Sequence, residues 1–389
     1  VLSTVSPRHH IPVLDSFRGI FALLVVIFHF PAVYWGASLP FVRHGYLAVD
    51  FFFVLSGFVL TRGYANRMAG GSDLVAFFRD RVVRLVPLHL IGLILAMALT
   101  FMHHIVKPMT AQSVGIGDFL STLTLTHSLG LGSSRGLNEP SWSLSAEMIA
   151  YVLFGMILLA TALRPRLRIV LMSAFAAIGL IGILDIGADN SGQMLDITHL
   201  GIYRGLFGFF LGALLQRLLA RVPLPATGKA TAGLLEAVVL AAFLVTYTMI
   251  DTATLNTLLI YPAIIALIAI FAQSAGGLST ALSAEPLIWL GRRSYALYIL
   301  HFPILGMLLP VIRAALARLE SFGPLVSVGA GTLMMLGTAA LTLWVADLAH
   351  RHVEKRLKPF ARAQNREGAA TGRDKRRPVG SNQALSARP

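Results

Sequence analysis

The sequence predicts an all-α fold, a polytopic membrane helix bundle of about ten transmembrane helices. Three observations carry that expectation. First, 56% of the 389 residues are hydrophobic and only 13% are charged. Second, the apolar residues come in runs long enough to cross a bilayer, about 20 residues each, rather than in an amphipathic pattern. Third, arginine and lysine gather in alternate short loops, as the positive-inside rule requires.

The expected spans are 17–36, 46–62, 85–103, 141–162, 167–186, 200–219, 231–250, 255–272, 294–312 and 324–346. With the N-terminus in the cytoplasm, Arg62, Arg67, Arg79, Arg81 and Arg84 fall inside. So do Arg164, Arg166 and Arg168, then Arg217, Arg221 and Lys229, then Arg292 and Arg293, and the C-terminal tail. The acidic loop with Asp185, Asp189 and Asp196 falls outside. This bias places both termini in the cytoplasm. The segment 119–131 (FLSTLTLTHSLGL) is short and rich in Ser and Thr. Counting it as a span would reverse the charge pattern after it, so it is expected to be re-entrant or interfacial, buried by protein. Residues 1–350 form one membrane domain in this reading. The basic tail 351–389, poor in large apolar residues, is expected to be disordered.

Composition also excludes functions. The chain has no cysteine, so disulfides, thiolate catalysis and Cys-ligated metals are out. The formal charge of +14 sits in short loops and the tail, without interleaved aromatics, which speaks for membrane topology and against nucleic-acid binding. The first apolar run is long and lacks a small-residue cleavage site, so no separate signal peptide is expected. No internal repeat of the inverted-transporter kind is visible, and H-E-x-x-H and P-loop patterns are absent. A G-x-S-x-G match at 132–136 has no strand before it and is not a nucleophile elbow. No metal is expected.

The chemistry lies in ionisable residues at membrane depth, which are costly and therefore mark function. In the stretch VLDSFRGIFALLVVIFHF, Arg18 stands at the entrance and His29 follows eleven residues on. At ~1.5 Å per helical residue that is ~16 Å, about half of a ~30 Å hydrocarbon core. Asp50 and Arg204 open the second and sixth spans from the outer side, and Glu147 lies two helical turns into the fourth, with Trp142 as an interfacial anchor. Four ionisable groups at similar depth should face each other or a wet cavity. Asp50 is open to two readings, orienting a neighbour or pairing with Arg204. On the inner side, Arg81 and Arg84 are three residues apart, on one helix face, and suit a phosphate clamp. Arg62 and Arg79 read as topological anchors. His301, seven residues into the ninth span, reads either as facing a donor channel or as a core histidine. Gly201, Gly205, Gly208 and Gly212 predict close helix packing in the sixth span, which would fix the direction of Arg204.

Five motifs together resemble the integral-membrane acyltransferase 3 family. They are Asp15-Ser-Phe-Arg18-Gly19 with a span ending Phe28-His29-Phe30, then Asp50-Phe-Phe-Phe-Val-Leu-Ser56-Gly57-Phe58, then Arg81-x-x-Arg84-x-x-Pro87. Trp142-Ser143-Leu144-Ser145-x-Glu147 and Ser294-Tyr295-x-Leu-Tyr298-x-x-His301-x-Pro303 complete the set, in family order. The departures are small. Met148 follows Glu147 where many members have a second Glu, and Ser16-Phe17 replaces a Gly-Leu-type pair.

The resemblance implies transfer of an acyl group, commonly acetyl, from cytosolic acyl-coenzyme A to a hydroxyl of a sugar-containing acceptor at a bacterial cytoplasmic membrane. It implies that His29 and Glu147 are catalytic and that Arg18, Arg81 and Arg84 handle the donor. From its length the chain is expected not to be one of the members that carry an extra soluble esterase-like domain. The expected site adds Asp50 beside His29, His301 on the donor side, and Arg204, Trp142 and Ser145 on the acceptor side. His29 is expected to act as general base on the acceptor hydroxyl, or as an acyl-carrying nucleophile, with Glu147 or Asp50 orienting it. The competing reading is a proton-coupled transporter or lipid/glycan flippase with His29, Asp50 and Glu147 as a relay.

Overall fold

The structure is a computed structural model that describes residues 10–30, 40–65, 68, 70–106, 114–132, 135–189, 197–225, 227–250 and 255–357. Among these residues the secondary structure is helical throughout, without strands. Among the described residues, nine helices are long and apolar enough to cross a membrane. They are α1 (Pro12–His29), α2 (Ala48–Tyr64), α3 (Gly71–Val106), α5 (Ser141–Ala160), α6 (Pro165–Asp189), α7 (Ile197–Arg221), α8 (Lys229–Met249), α12 (Ser294–Leu319) and α13 (Pro324–Ala349). Shorter helices are α4 (Ile116–Leu123), α9 (Ile260–Phe271), α10 (Gly277–Leu282) and α11 (Glu285–Arg292). The chain is a multi-pass membrane protein.

Several boundaries differ from expectation. α1 starts five residues earlier, with Pro12 in its first turn, and stops at His29, where Phe30 turns extended (φ −69°, ψ 132°). Pro31 follows in the sequence, and its ring disfavours helix for the residue before it. His29 is therefore the last residue of its helix rather than a mid-helix position. The expected remainder of that span, 31–36, lies outside the described residues. α3 begins at Gly71 rather than 85, so Arg79, Arg81 and Arg84 belong to the helix and not to the loop before it. Segment 119–131 contributes only the eight-residue α4 and a single turn of 3-10 helix at His127–Leu129, too short to span. The tail also differs at its start. A π-turn at His350–Glu354 carries the last helix on to Leu357. Residues 358–389, with the expectation of disorder, lie outside the described residues, as does Ser134 of the G-x-S-x-G match.

Helix packing is set by small residues where backbones meet. The α2–α7 contact is built on Gly57 and Gly212. A Cβ on Gly57 would lie 1.8 Å from the Phe209 carbonyl oxygen, and one on Gly212 1.8 Å from that of Val54. Further along α7, Gly201 receives the Trp142 ring and Gly205 the Ala146 methyl. This close seating aims Arg204 into the bundle, where it is fully buried. A second close approach joins α1 to α11, where a Cβ on Gly19 would lie 2.7 Å from the Gly291 nitrogen. From there α1 and α12 run the same way. His29 is ten residues beyond Gly19, and His301 is ten residues beyond Gly291. The packed glycines thus bring the two histidines level.

Candidate active site

The expected site residues fall into three separate groups. The first is the histidine pair. His29 Nδ1 is 2.9 Å from the Val25 carbonyl oxygen and 3.3 Å from His301 Nε2. His301 Nδ1 donates to the Tyr298 carbonyl at 2.6 Å. Carbonyls only accept, so Nδ1 carries the proton on both rings. His301 Nε2 then faces His29 as an acceptor, and His29 Nε2 has no hydrogen-bond partner among the described residues. His301 is 1% exposed, while His29 is half-buried at the end of its helix. His301 thus lies against His29 and does not line the cavity described next. It is His301, rather than Glu147 or Asp50, that touches His29.

The second group is a cavity of about 540 Å³ between α1, α2, α3, α5 and α12. It runs along α2 from Val49 to Gly63, fourteen residues or about 21 Å of helix. One end is cationic, with Arg18, Arg62, Arg81 and Arg84 joined by His10 and Tyr64. Arg18 is paired with Asp15 at 3.1 Å, and Arg81 stands over the rings of Tyr64 and Tyr151 at 5.8 and 5.9 Å. Arg62, expected as an anchor, lines this mouth, whereas Arg79 does not. Midway, Glu147 accepts a 2.5 Å hydrogen bond from Tyr151, whose hydroxyl also lies 3.0 Å from Ser56 Oγ. Glu147 therefore sits in the cavity with the arginines, not against His29. The far end is formed by Phe52, Phe53, Ser143, Leu144 and Tyr298. There the Tyr298 hydroxyl lies 2.7 Å from Ser143 Oγ, and one turn further along α12 stands His301.

The third group is structural in its geometry. Asp50 and Arg204 are both fully buried and bonded through two contacts, 2.7 and 3.2 Å. Tyr261 donates to the same carboxylate at 2.7 Å. The Arg204 guanidinium stands over the Trp142 ring at 5.1 Å. Asp50 is thus paired with Arg204 rather than orienting His29. Trp142, expected at an interface, is 5% exposed and packs inside the bundle. None of Asp50, Arg204 or Trp142 lines the cavity. Ser145 is likewise buried and bonds the Leu125 carbonyl, Ser128 Oγ and the Ser128 amide. It fastens segment 116–132 onto α5 and does not line this cavity. In that segment His127 is enclosed between the Ser121 carbonyl and Ser141 Oγ, and burial pushes its imidazole down to about 4.

Sequence reasoning did not single out Tyr151, Tyr64 or the Ser143–Tyr298 pair. Tyr151 had a signal, because it stands four residues after Glu147 on the same helix face. Ser143 and Tyr298 both stand in the motifs quoted above, but nothing in the sequence pairs them, since they are 155 residues apart.

A family model described as an acyltransferase domain matches residues 11–345. The chain belongs to the acyltransferase 3 family. Among its relatives is the peptidoglycan O-acetyltransferase OatA of Listeria monocytogenes, 24% identical over 329 residues, which are 78% of this chain and 51% of the relative. The O-acetyltransferase OatA of Staphylococcus aureus is 26% identical over 321 residues, 77% of this chain and 51% of that protein. The putative peptidoglycan O-acetyltransferase YrhL of Bacillus subtilis is 26% identical over 328 residues, 78% of this chain and 50% of the relative. The chain thus spans about half the length of these curated relatives. No solved structure matches it.

Proposed function

We propose that this protein is a membrane O-acyltransferase that moves an acetyl group from cytosolic acetyl-coenzyme A to a hydroxyl of a surface glycan. The observation that carries the proposal is the cavity. It has four arginines at one end, and its far end lies one helical turn short of the histidine pair. A thioester donor has that polarity. Its phosphates suit guanidinium groups, which bind them by charge-assisted bonds. Its uncharged pantetheine arm suits the narrow run along α2. The arginine end faces the cytoplasm in this reading, in keeping with the loop charges. The relatives named for peptidoglycan O-acetylation support a sugar acceptor of the cell wall, reached from the outer side.

His29 Nε2 takes the proton of the acceptor hydroxyl, and the oxygen attacks the thioester carbonyl. His301 accepts from His29 Nδ1 and steadies the imidazolium as it forms. Glu147, held by Tyr151, lies on the donor path and positions the arm. Arg204 and Asp50 brace α2 against α7. The relay reading is less well supported, because Asp50 is bound to Arg204 and Tyr261 while Glu147 sits in another compartment from His29.

Purified protein incubated with labelled acetyl-coenzyme A and cell-wall glycan tests the proposal. Label should pass to the glycan, and His29→Ala should lower the rate by about 10²–10⁴-fold. Full activity in that variant would overturn the base. Flux driven by a pH gradient without thioester cleavage would favour the transporter. A trapped acyl-enzyme would make His29 the nucleophile instead.

A further inference from the structure

The far end of the cavity holds a polar feature that the proposed donor path leaves without a task. Among apolar walls of Phe52, Phe53 and Leu144, two hydroxyls face each other. Tyr298 Oη is 2.7 Å from Ser143 Oγ, and both lie 3.1 Å from the Pro140 carbonyl oxygen. Each residue is 6% exposed, and each lines the cavity. The Ser143 hydroxyl is satisfied within its own helix end, where the Pro140 carbonyl stands three residues back. The Tyr298 hydroxyl reaches the same carbonyl from another helix and also lies against Ser143 Oγ, so its proton is shared between two oxygens at the end of the cavity and can be given to a ligand oxygen that enters there. The Tyr298 ring centroid is 6.0 Å from that of His301 and 6.0 Å from that of Phe52, so the ring stands between the cavity and the histidine pair.

We infer that Tyr298 is a catalytic hydrogen-bond donor to the thioester carbonyl oxygen, stabilising the oxyanion of the transfer step, with Ser143 Oγ holding its hydroxyl in place before the donor arrives. The inference rests on the donor reading above. Attack by the acceptor oxygen forms a C–O bond, and the carbonyl π pair moves onto oxygen. The acceptor proton goes to His29 Nε2. The oxyanion receives the Tyr298 O–H, a neutral donor on a side chain only 6% exposed, and such a bond is worth more away from water. On collapse the carbonyl re-forms, the C–S bond breaks, and the thiolate takes the proton back from His29. The products are the acyl ester and free coenzyme A thiol, with nothing oxidised or reduced.

Two measurements on the purified full chain test this. Tyr298→Phe keeps the ring packed on Phe52 and His301 and removes one oxygen. It should lower kcat about 10²–10³-fold, as loss of one oxyanion donor does, with the donor KM within about threefold. The second measurement is the infrared carbonyl band of bound [¹³C]acetyl-coenzyme A, which needs no turnover. The wild-type band should lie at lower frequency than that of free donor. It should return to the free position in Tyr298→Phe and stay shifted in Ser143→Ala. Equal kcat in wild type and Tyr298→Phe overturns the inference, as does an identical band in both. A band that stays shifted in Tyr298→Phe but relaxes in Ser143→Ala would give the role to the serine. Failure of wild type to bind acetyl-coenzyme A would remove the donor reading itself, and the inference with it. Donor binding with an unshifted band removes the inference alone.

Discussion

His301→Phe separates two tasks for the same side chain. On the sequence, His301 reads either as facing a donor channel or as a core histidine; in the structure it accepts from His29 Nδ1 at 3.3 Å and lines no part of the cavity. The ground-state bond is of limited consequence, because Val25 offers His29 Nδ1 a second acceptor at 2.9 Å and the tautomer survives without His301. The transition state is where His301 matters. Once Nε2 takes the acceptor proton, His29 is an imidazolium, and its bond to His301 becomes charge-assisted. Such bonds contribute about 1.5–3 kcal/mol, which corresponds to about 10–150-fold in rate. The expected outcome is a fall in kcat of that size with donor KM unchanged, read in steady-state transfer assays over a range of acetyl-coenzyme A. His301→Gln, whose amide oxygen can accept from Nδ1, should recover part of the loss. A raised donor KM with unchanged kcat would refute the reasoning and return His301 to the donor channel.

Three other outcomes are expected. Arg81→Ala should raise the KM for acetyl-coenzyme A about tenfold but hardly affect a short acetyl-pantetheine thioester, since only the former brings the phosphates. Equal losses for both would contradict the clamp. Asp50→Leu should destabilise the fold by about 3–5 kcal/mol, because it strands the buried Arg204 charge. Adding Arg204→Met should restore much of that in thermal unfolding in detergent, and a simple sum of the two losses would deny the pairing. Segment 116–132 should loosen in acid. His127 is held near pKa 4 in the fold and returns to about 6.5 when released, so its contribution is complete above pH 6.5 and drains away as pH falls from 6.5 towards 4. Hydrogen exchange across the segment, corrected for intrinsic rates, should rise in that window and stay flat in His127→Gln; a flat wild-type profile would exclude the mechanism.

What the sequence by itself determined is what depends on residues near one another in the chain. Apolar runs of bilayer length and alternating basic loops set the helical, multi-pass class. The three-residue spacing of Arg81 and Arg84 put both on one face, and both line the cavity mouth. The glycines of 201–212 marked a packed helix, and α7 uses them that way. Even locally the bounds moved: the expected span began at 85, yet α3 runs through the three arginines from Gly71, because a helix bordering a polar cavity can carry charge along one side.

What only the tertiary structure decided is which distant residues meet. Hydropathy gives a residue's depth along its helix but not its azimuth or its neighbour. Asp50, Glu147, Arg204 and His29 share a depth range on the sequence, and depth alone made them one site. Azimuth divided them. Asp50 and Arg204, 154 residues apart, face each other across α2 and α7. Glu147 turns towards the arginines, and His29 meets His301, 272 residues away. That last pairing stands ten residues beyond the close contact of Gly19 on Gly291, where α1 meets α11 just before α12 begins. A backbone contact of that kind has no periodicity and no charge pattern, so it is invisible until the helices are packed.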